Sequence, residues 1–246
     1  MPIPTIAEIA GIFLLAGLVK GVVGLGLPTV AIGLLGLMMA PAQAAALLVV
    51  PSLVTNIWQA AAGAALWPLV KRLWTMFVGI FAGTWLTGGI ITGADSALAT
   101  AALGSALIVY AAFGLNRFEF SLSPAAERWL AAPVGLTTGL VAGATGIFTL
   151  PAVPYLQAIG LQKDDLVQAL GLSFTVSTLS LAAALANGGA LHTGQFVGSG
   201  IALAASLAGM GLGQFVRVRV RAERFRIYFF VGLLLLGAHL ALRPFI

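Results

Sequence analysis

Cysteine is absent from this 246-residue chain, and charged side chains are scarce. Without cysteine, the chain forms no disulfides, uses no thiolate chemistry and holds no cysteine metal site. Charged residues make up 8% and hydrophobic residues 60% of the chain, whereas soluble domains carry roughly 25% charged residues. An ordinary soluble domain is therefore excluded, and the composition predicts an integral membrane protein.

Several functional patterns are also missing. The sequence contains no metal-ligand cluster, no phosphate loop and no nucleophile-base arrangement, so we expect neither an enzyme nor a metal or other cofactor. The net charge of +5 lies mainly between the apolar segments, with no basic stripe interleaved with aromatics. This distribution suits an anionic membrane leaflet and argues against nucleic acid as a partner.

Each half of the chain opens with a hydrophobic stretch of about 33 residues, over 6–38 and 129–162. A continuous helix of that length would measure about 50 Å, against a hydrocarbon core of about 30 Å. Glycine and proline interrupt both stretches, as Gly21, Gly24, Gly26 and Pro28 in the first and Gly143, Gly146, Pro151 and Pro154 in the second. Either each stretch is a long tilted helix, or it is a re-entrant hairpin.

Basic residues between the apolar segments favour hairpins, because they concentrate on the cytoplasmic side of a membrane protein. If the stretches cross the membrane, these cations divide evenly between its two sides. If both stretches are hairpins, Arg243 alone lies outside, and the cations that share the inner side are Lys71, Arg72, Arg117, Arg128, Lys163, Arg217, Arg219, Arg221, Arg224 and Arg226. The sequence therefore predicts hairpins, with both termini outside.

The predicted architecture is an all-α polytopic membrane protein built from two inverted repeats. Leu27-Pro28 recurs as Leu150-Pro151, and Gly83 recurs as Gly209. The first repeat covers 1–123, with a hairpin over about 6–39 and helices at about 42–66, 72–93 and 96–116. The second covers 124–246, with a hairpin over about 129–162 and helices at about 165–189, 193–215 and 226–243.

Lys20 is the one cation inside an apolar segment, directly before the first glycine-rich break. A charge at that depth costs several kcal/mol and more often serves a ligand than the fold. Its long stem could instead let it snorkel to the surface. We expect neither His192 nor His239 to belong to the site, because both lie near segment ends.

Helix ends at the two breaks would present unpaired N–H groups and a positive dipole, which together suit a small anion. In inverted repeats such breaks lie near the midplane. The glycines could equally serve helix packing, and the hydroxyls could form interhelical hydrogen bonds. The predicted substrate-binding residues are Lys20, Gly24, Gly26, Thr29, Ser52, Asn56, Thr145, Gly146, Thr149, Ser173 and Thr175.

The twice-repeated pattern of a glycine-rich break, a proline and a helix bearing Ser or Thr resembles the TauE/SafE sulfite exporter family. It is carried by residues 21–56 and 139–178. The resemblance implies secondary transport, more often export, of sulfite, organosulfonates or related anions across the bacterial inner membrane. The second break departs from the family pattern, since Ala144-Thr145 replaces a denser glycine run. The lack of cysteine excludes a thiol relay.

The sequence therefore predicts a multi-pass transporter that moves a small sulfur-containing oxyanion by shifting one repeat against the other. The alternatives are a channel for anions or other small solutes and a carrier of small carboxylates. The expected partners are the anionic substrate, the lipid bilayer and, as one option, a second copy in a homodimer. The direction of transport and its coupling stay open at this stage.

Overall fold

The computed structural model describes residues 5–93, 96–116, 121–191, 196–217, 219 and 222–243, and throughout these residues the regular structure is helical. The helices are α1 (Ile6–Val23), α2 (Leu27–Leu35), α3 (Pro41–Ala61), α4 (Leu66–Thr92), α5 (Ser96–Asn116), α6 (Pro124–Thr145), α7 (Ala152–Ala158), α8 (Lys163–Asn187), α9 (Phe196–Arg217) and α10 (Ala222–Leu242). Seven of these described helices, namely α1, α3, α4, α5, α8, α9 and α10, are long and apolar enough to cross a membrane. The chain is an all-α polytopic membrane protein.

Helix bounds differ from the predicted ones most clearly at α4. This helix begins at Leu66 rather than near 72, so Lys71 and Arg72 lie inside it. Pro68 falls in its first turn, where the missing N–H has no partner to lose. His192 and the predicted start of a helix at 193 lie outside the described residues, whereas His239 is exposed in the last turn of α10.

Left-handed glycines end both of the long helices that open the two halves. Gly24, with φ of 84°, follows α1, and its N–H donates to the carbonyl of Lys20 over 2.7 Å. Gly146, with φ of 75°, follows α6, and its N–H donates to Ala142 over 2.7 Å. Residues with a β-carbon rarely adopt this conformation, so glycine determines where each helix stops.

The two long helices each pack against a helix from the other half of the chain. Gly209 of α9 lies against Leu14 and Leu18 of α1, and Gly83 of α4 lies against Leu136 and Leu140 of α6. At each site a β-carbon would overlap the partner's backbone. Glycines that the sequence matched between the halves therefore make the same contact in both, as small residues do in membrane helix pairs.

The second hairpin returns to the level at which it begins. The guanidinium of Arg72 forms two hydrogen bonds with the carboxylate of Glu127, of 2.6 and 2.8 Å, and donates to the carbonyl of Ile159 over 2.9 Å. Glu127 lies in the first turn of α6, and Ile159 caps the C-terminus of α7. The start and end of the α6–α7 segment are therefore adjacent.

An arginine also meets the C-terminus of the other short helix, α2. The guanidinium of Arg243 donates to the carbonyls of Gly36 and Leu37 over 3.2 and 3.1 Å. A cation at a helix C-terminus is favourable because it meets the negative end of the dipole. Arg243 follows α10, which runs antiparallel to α5, since Gly104 packs on Ala241 and Gly114 on Phe230.

These contacts place the ends of the two short helices far apart. α5 begins four residues after α4 ends, so Arg243 lies near the end of α4 and Arg72 near its start. The C-termini of α2 and α7 are therefore at opposite ends of the bundle. The inverted relation of the two halves, which refers to the membrane, stays a prediction.

Candidate functional site

Lys20 lies in the last turn of α1 with only 4% of its surface exposed. Its amine donates to the hydroxyl oxygen of Thr55 over 3.1 Å and to the side-chain oxygen of Asn56. The Thr55 hydroxyl itself donates to the carbonyl of Pro51 over 2.8 Å, which leaves its lone pairs to accept from the amine. The lysine therefore points into the bundle and does not reach the surface by snorkelling.

The amine of Lys20 has no acidic counterpart among the described residues. The ion pair found among them joins Arg72 and Glu127, at the start of α4 and α6. A buried cation without a counter-charge is costly, because its desolvation is not offset by a neighbouring carboxylate. Lys20 is therefore the strongest candidate among the predicted residues for contact with an anion.

Further hydrogen-bond donors lie on the same face of α3 as Asn56. The side-chain nitrogen of Asn56 and the hydroxyl of Ser52 are buried and have no hydrogen-bond partner among the described residues. Thr29 of α2 is fully buried, and its hydroxyl also has no hydrogen-bond partner among the described residues. Buried polar atoms are rarely left without a partner, and an amide nitrogen can only donate. The Asn56 nitrogen therefore lacks an acceptor, and the two hydroxyls are also able to donate.

Gln59 continues this face of α3 and connects it to the first break. Its side-chain nitrogen donates to the carbonyl of Val167 over 3.0 Å and lies 3.4 Å from the carbonyl of Gly24. Gly24 and Gly26 shape the first break through their left-handed backbone, with φ values of 84° and 103°. The first break therefore lies beside the end of α3 that carries Gln59.

The predicted residues of the second half divide into two groups. The Thr145 hydroxyl donates to Val141 over 2.7 Å and accepts from the N–H of Ile147, so it stabilises the turn at Gly146. The Thr175 hydroxyl donates to Gly171 within its own helix over 2.7 Å. These hydroxyls are already satisfied, which makes them weaker candidates for substrate contact.

Thr149 and Ser173 differ from them, because both are fully buried and neither hydroxyl has a partner among the described residues. Their neighbours Phe148 and Phe174 pack with ring centroids 5.4 Å apart. Gly171 of α8 packs against Ala60 of α3 in an antiparallel pair, so Ser173 lies within about one turn of Asn56 along the bundle. Ser173 of the second half thus lies at the height of the Lys20 cluster.

The glycines that open the two breaks do not face each other. Gly24 lies near Gln59 at the end of α3, whereas Gly146 lies near Ala45 at its start and Ile91 at the end of α4. The two positions are separated by about 20 Å along α3. Lys20, Asn56 and Ser52 form the densest part of the predicted site, and Gly146 is remote from it.

A family model for sulfite exporter TauE/SafE matches residues 9–240 of the chain. The chain belongs to the TauE/SafE family. Comparison with curated proteins and with solved structures found no significant match. Together with its apolar helices, the match makes this chain a multi-pass member of a membrane transporter family.

Sequence reasoning missed two features of this TauE/SafE protein. The ion pair between Arg72 and Glu127 was not predicted, because nothing in the local sequence shows that residues 55 apart meet. Buried hydroxyls without a described partner also occur at Thr138, Ser177 and Ser206. Gln168, in contrast, donates to the carbonyls of Ala60 and Gly63 over 2.6 and 2.9 Å, so it stabilises the end of α3.

Proposed function

We propose that this protein is a secondary transporter that exports a small sulfur-containing oxyanion, such as sulfite or an organosulfonate, across the bacterial cytoplasmic membrane. Family membership supports transport, and the buried amine of Lys20 supports an anionic substrate. This amine carries the proposal, because it lies between helices of a membrane bundle without a carboxylate among the described residues.

The substrate would supply acceptors for the donors around Lys20. A sulfo or sulfite group has three oxygens and can accept hydrogen bonds from several donors at once. Lys20, the side-chain nitrogen of Asn56 and the hydroxyl of Ser52 are such donors on neighbouring faces of α1 and α3. Thr149 and Ser173 would complete the site from the second half. A monocarboxylate offers two oxygens and satisfies fewer of these groups.

Access would alternate between the two sides of the membrane in a chain of two inverted repeats, 1–123 and 124–246, with moving units that draw helices from both repeats. The close glycine contacts between helices indicate which helices move together. Gly17 and Gly21 of α1 pack directly on the backbone of α9, and Gly139 and Gly143 of α6 pack on that of α4. Moving one repeat against the other would break all of these contacts. The moving units therefore combine α1 with α9 and α4 with α6.

Transport into proteoliposomes containing the purified protein tests the proposal. Sulfite, sulfoacetate, acetate and lactate would be compared, each alone and as competitors of a labelled sulfonate. We expect sulfite and sulfoacetate to compete well and the monocarboxylates poorly. Equal competition by acetate or lactate would contradict three-oxygen recognition and support a carboxylate carrier.

The same vesicles distinguish a carrier from a channel. A carrier accelerates the uptake of labelled substrate when unlabelled substrate is present on the opposite side, because the loaded site reorients in both directions. A channel shows no such acceleration. Uptake without this acceleration would therefore replace the transporter proposal with an anion channel.

A further inference from the structure

Building on the proposed function, we infer that Lys20 couples anion movement to proton movement: its amine gains a proton when the anion binds and loses it when the anion leaves. The loaded site then holds an ammonium and an anion, and the empty site holds a neutral amine. The protein would be an electroneutral proton-anion symporter with its proton carried on Lys20, and it would export the anion when the outward anion gradient exceeds the inward proton gradient.

The hydrogen bonds of Lys20 fit a neutral amine. A neutral amine has two N–H groups and one lone pair, whereas an ammonium has three N–H groups and no lone pair. The structure provides two acceptors, the hydroxyl oxygen of Thr55 and the side-chain oxygen of Asn56. These acceptors take both N–H groups of the neutral form, and its lone pair stays available for a proton. The ammonium would need a third acceptor, which an anion beside Asn56 and Ser52 would supply.

Among the described residues, no carboxylate lies within ion-pair distance of Lys20 to compensate an ammonium. Helices α2 and α3 contain no charged residue. On α1, α9 and α10, the charged or titratable side chains that the structure describes are Glu8, Arg217, Arg224, Arg226, Tyr228 and His239. Helix α8, which packs on α3, carries Lys163, Asp164 and Asp165 at its start. None of these groups forms an ion pair with Lys20. Burial without a counter-charge disfavours the charged amine, and a bound anion removes that penalty.

The proton balance follows directly. On the loading side, the nitrogen lone pair of Lys20 takes a proton from water as the anion enters, and the pair crosses as a neutral unit. On the other side, the anion leaves and the ammonium returns its proton to water. The site then reorients as a neutral amine. Each cycle moves one monovalent anion with one proton and no net charge.

Methanesulfonate is a suitable probe because it stays a monoanion throughout the working pH range, so any coupled proton must travel on the protein. Proteoliposomes with an internal pH dye would receive a methanesulfonate gradient, with the membrane potential held at zero by potassium and valinomycin. We expect protons to move with the sulfonate at about one per anion. Imposed potentials should change the flux by less than about twofold.

Sulfonate flux that carries net charge and moves no protons would overturn the coupling while leaving the proposed function intact. If neither methanesulfonate nor sulfite moves, the proposed function fails and the coupling fails with it. Protein-free vesicles provide the background for both fluxes. The wild-type measurement therefore decides the question without any variant.

Lys20→Arg provides an independent test, because a guanidinium does not lose its proton in proteins. Exchange of labelled for unlabelled sulfonate needs the loaded site alone, whereas net flux also needs the empty site to reorient. The ratio of net flux to exchange in Lys20→Arg should therefore fall at least about tenfold below that of wild type, whatever the change in affinity. Lys71→Arg, at an exposed lysine of α4, is the matched control. An equal ratio in Lys20→Arg and wild type would overturn the inference.

Discussion

Replacing Lys20 with alanine is expected to weaken anion binding far more than folding. The amine is buried and has two neutral acceptors but no carboxylate partner among the described residues. Its charge therefore contributes little to the stability of the fold and much to an anion beside it. One hydrogen bond to a charged group contributes about 1.5–3 kcal/mol, which corresponds to a loss of affinity of roughly 10- to 150-fold.

Concentration-dependent uptake into proteoliposomes would measure this loss, and size-exclusion chromatography would measure the folded yield. Lys20→Met, which retains the apolar stem, separates the loss of charge from the loss of packing. Lys71→Ala removes an exposed lysine and is the control. If both Lys20 variants keep an affinity within about threefold of wild type, a difference of roughly 0.7 kcal/mol, Lys20 is a structural residue and the anion site lies elsewhere.

The opposite perturbation supplies an internal counter-ion. Asn56→Asp places a carboxylate at the oxygen that already accepts from Lys20. This carboxylate would pair with the ammonium and compete with the substrate, so we expect transport to fall at least about tenfold. The folded yield should stay near that of wild type. Wild-type transport by Asn56→Asp would show that substrate does not approach this face of α3.

Two further predictions concern the fold. The chain has no cysteine, so Arg219→Cys and Ala241→Cys each introduce a single thiol that an impermeant reagent can label on intact cells. We expect labelling of Ala241→Cys only. Labelling of Arg219→Cys alone would contradict the hairpin topology. Gly139→Ala places a β-carbon against the carbonyl oxygen of Ile80, whereas Gly89→Ala meets nothing within 4 Å. Gly139→Ala should destabilise the protein by about 1–3 kcal/mol and lower its melting temperature in detergent. Equal melting temperatures of Gly139→Ala and Gly89→Ala would show that the α4–α6 contact accommodates a β-carbon with little loss of stability.

Some features of this protein follow from the sequence alone. Scarcity of charge predicts a membrane protein because few charged groups can be buried in hydrocarbon. The glycine-rich breaks indicate where α1 and α6 stop, because the positive φ at Gly24 and Gly146 is accessible mainly to glycine. The depth of Lys20 in an apolar run likewise marks it as a candidate before any contact is known. All of these signals are local.

Tertiary structure alone decides which of these features meet. Lys20 and Asn56 are 36 residues apart, and Arg72 and Glu127 are 55 apart. Helical periodicity specifies which face of a helix a side chain occupies, but not which other helix covers that face. The sequence predicted that both breaks lie together at one site near the midplane of the membrane. In the structure, α3 separates Gly24 from Gly146 and brings Lys20 to Thr55 and Asn56, because the packing of helices from both halves determines the height of each break.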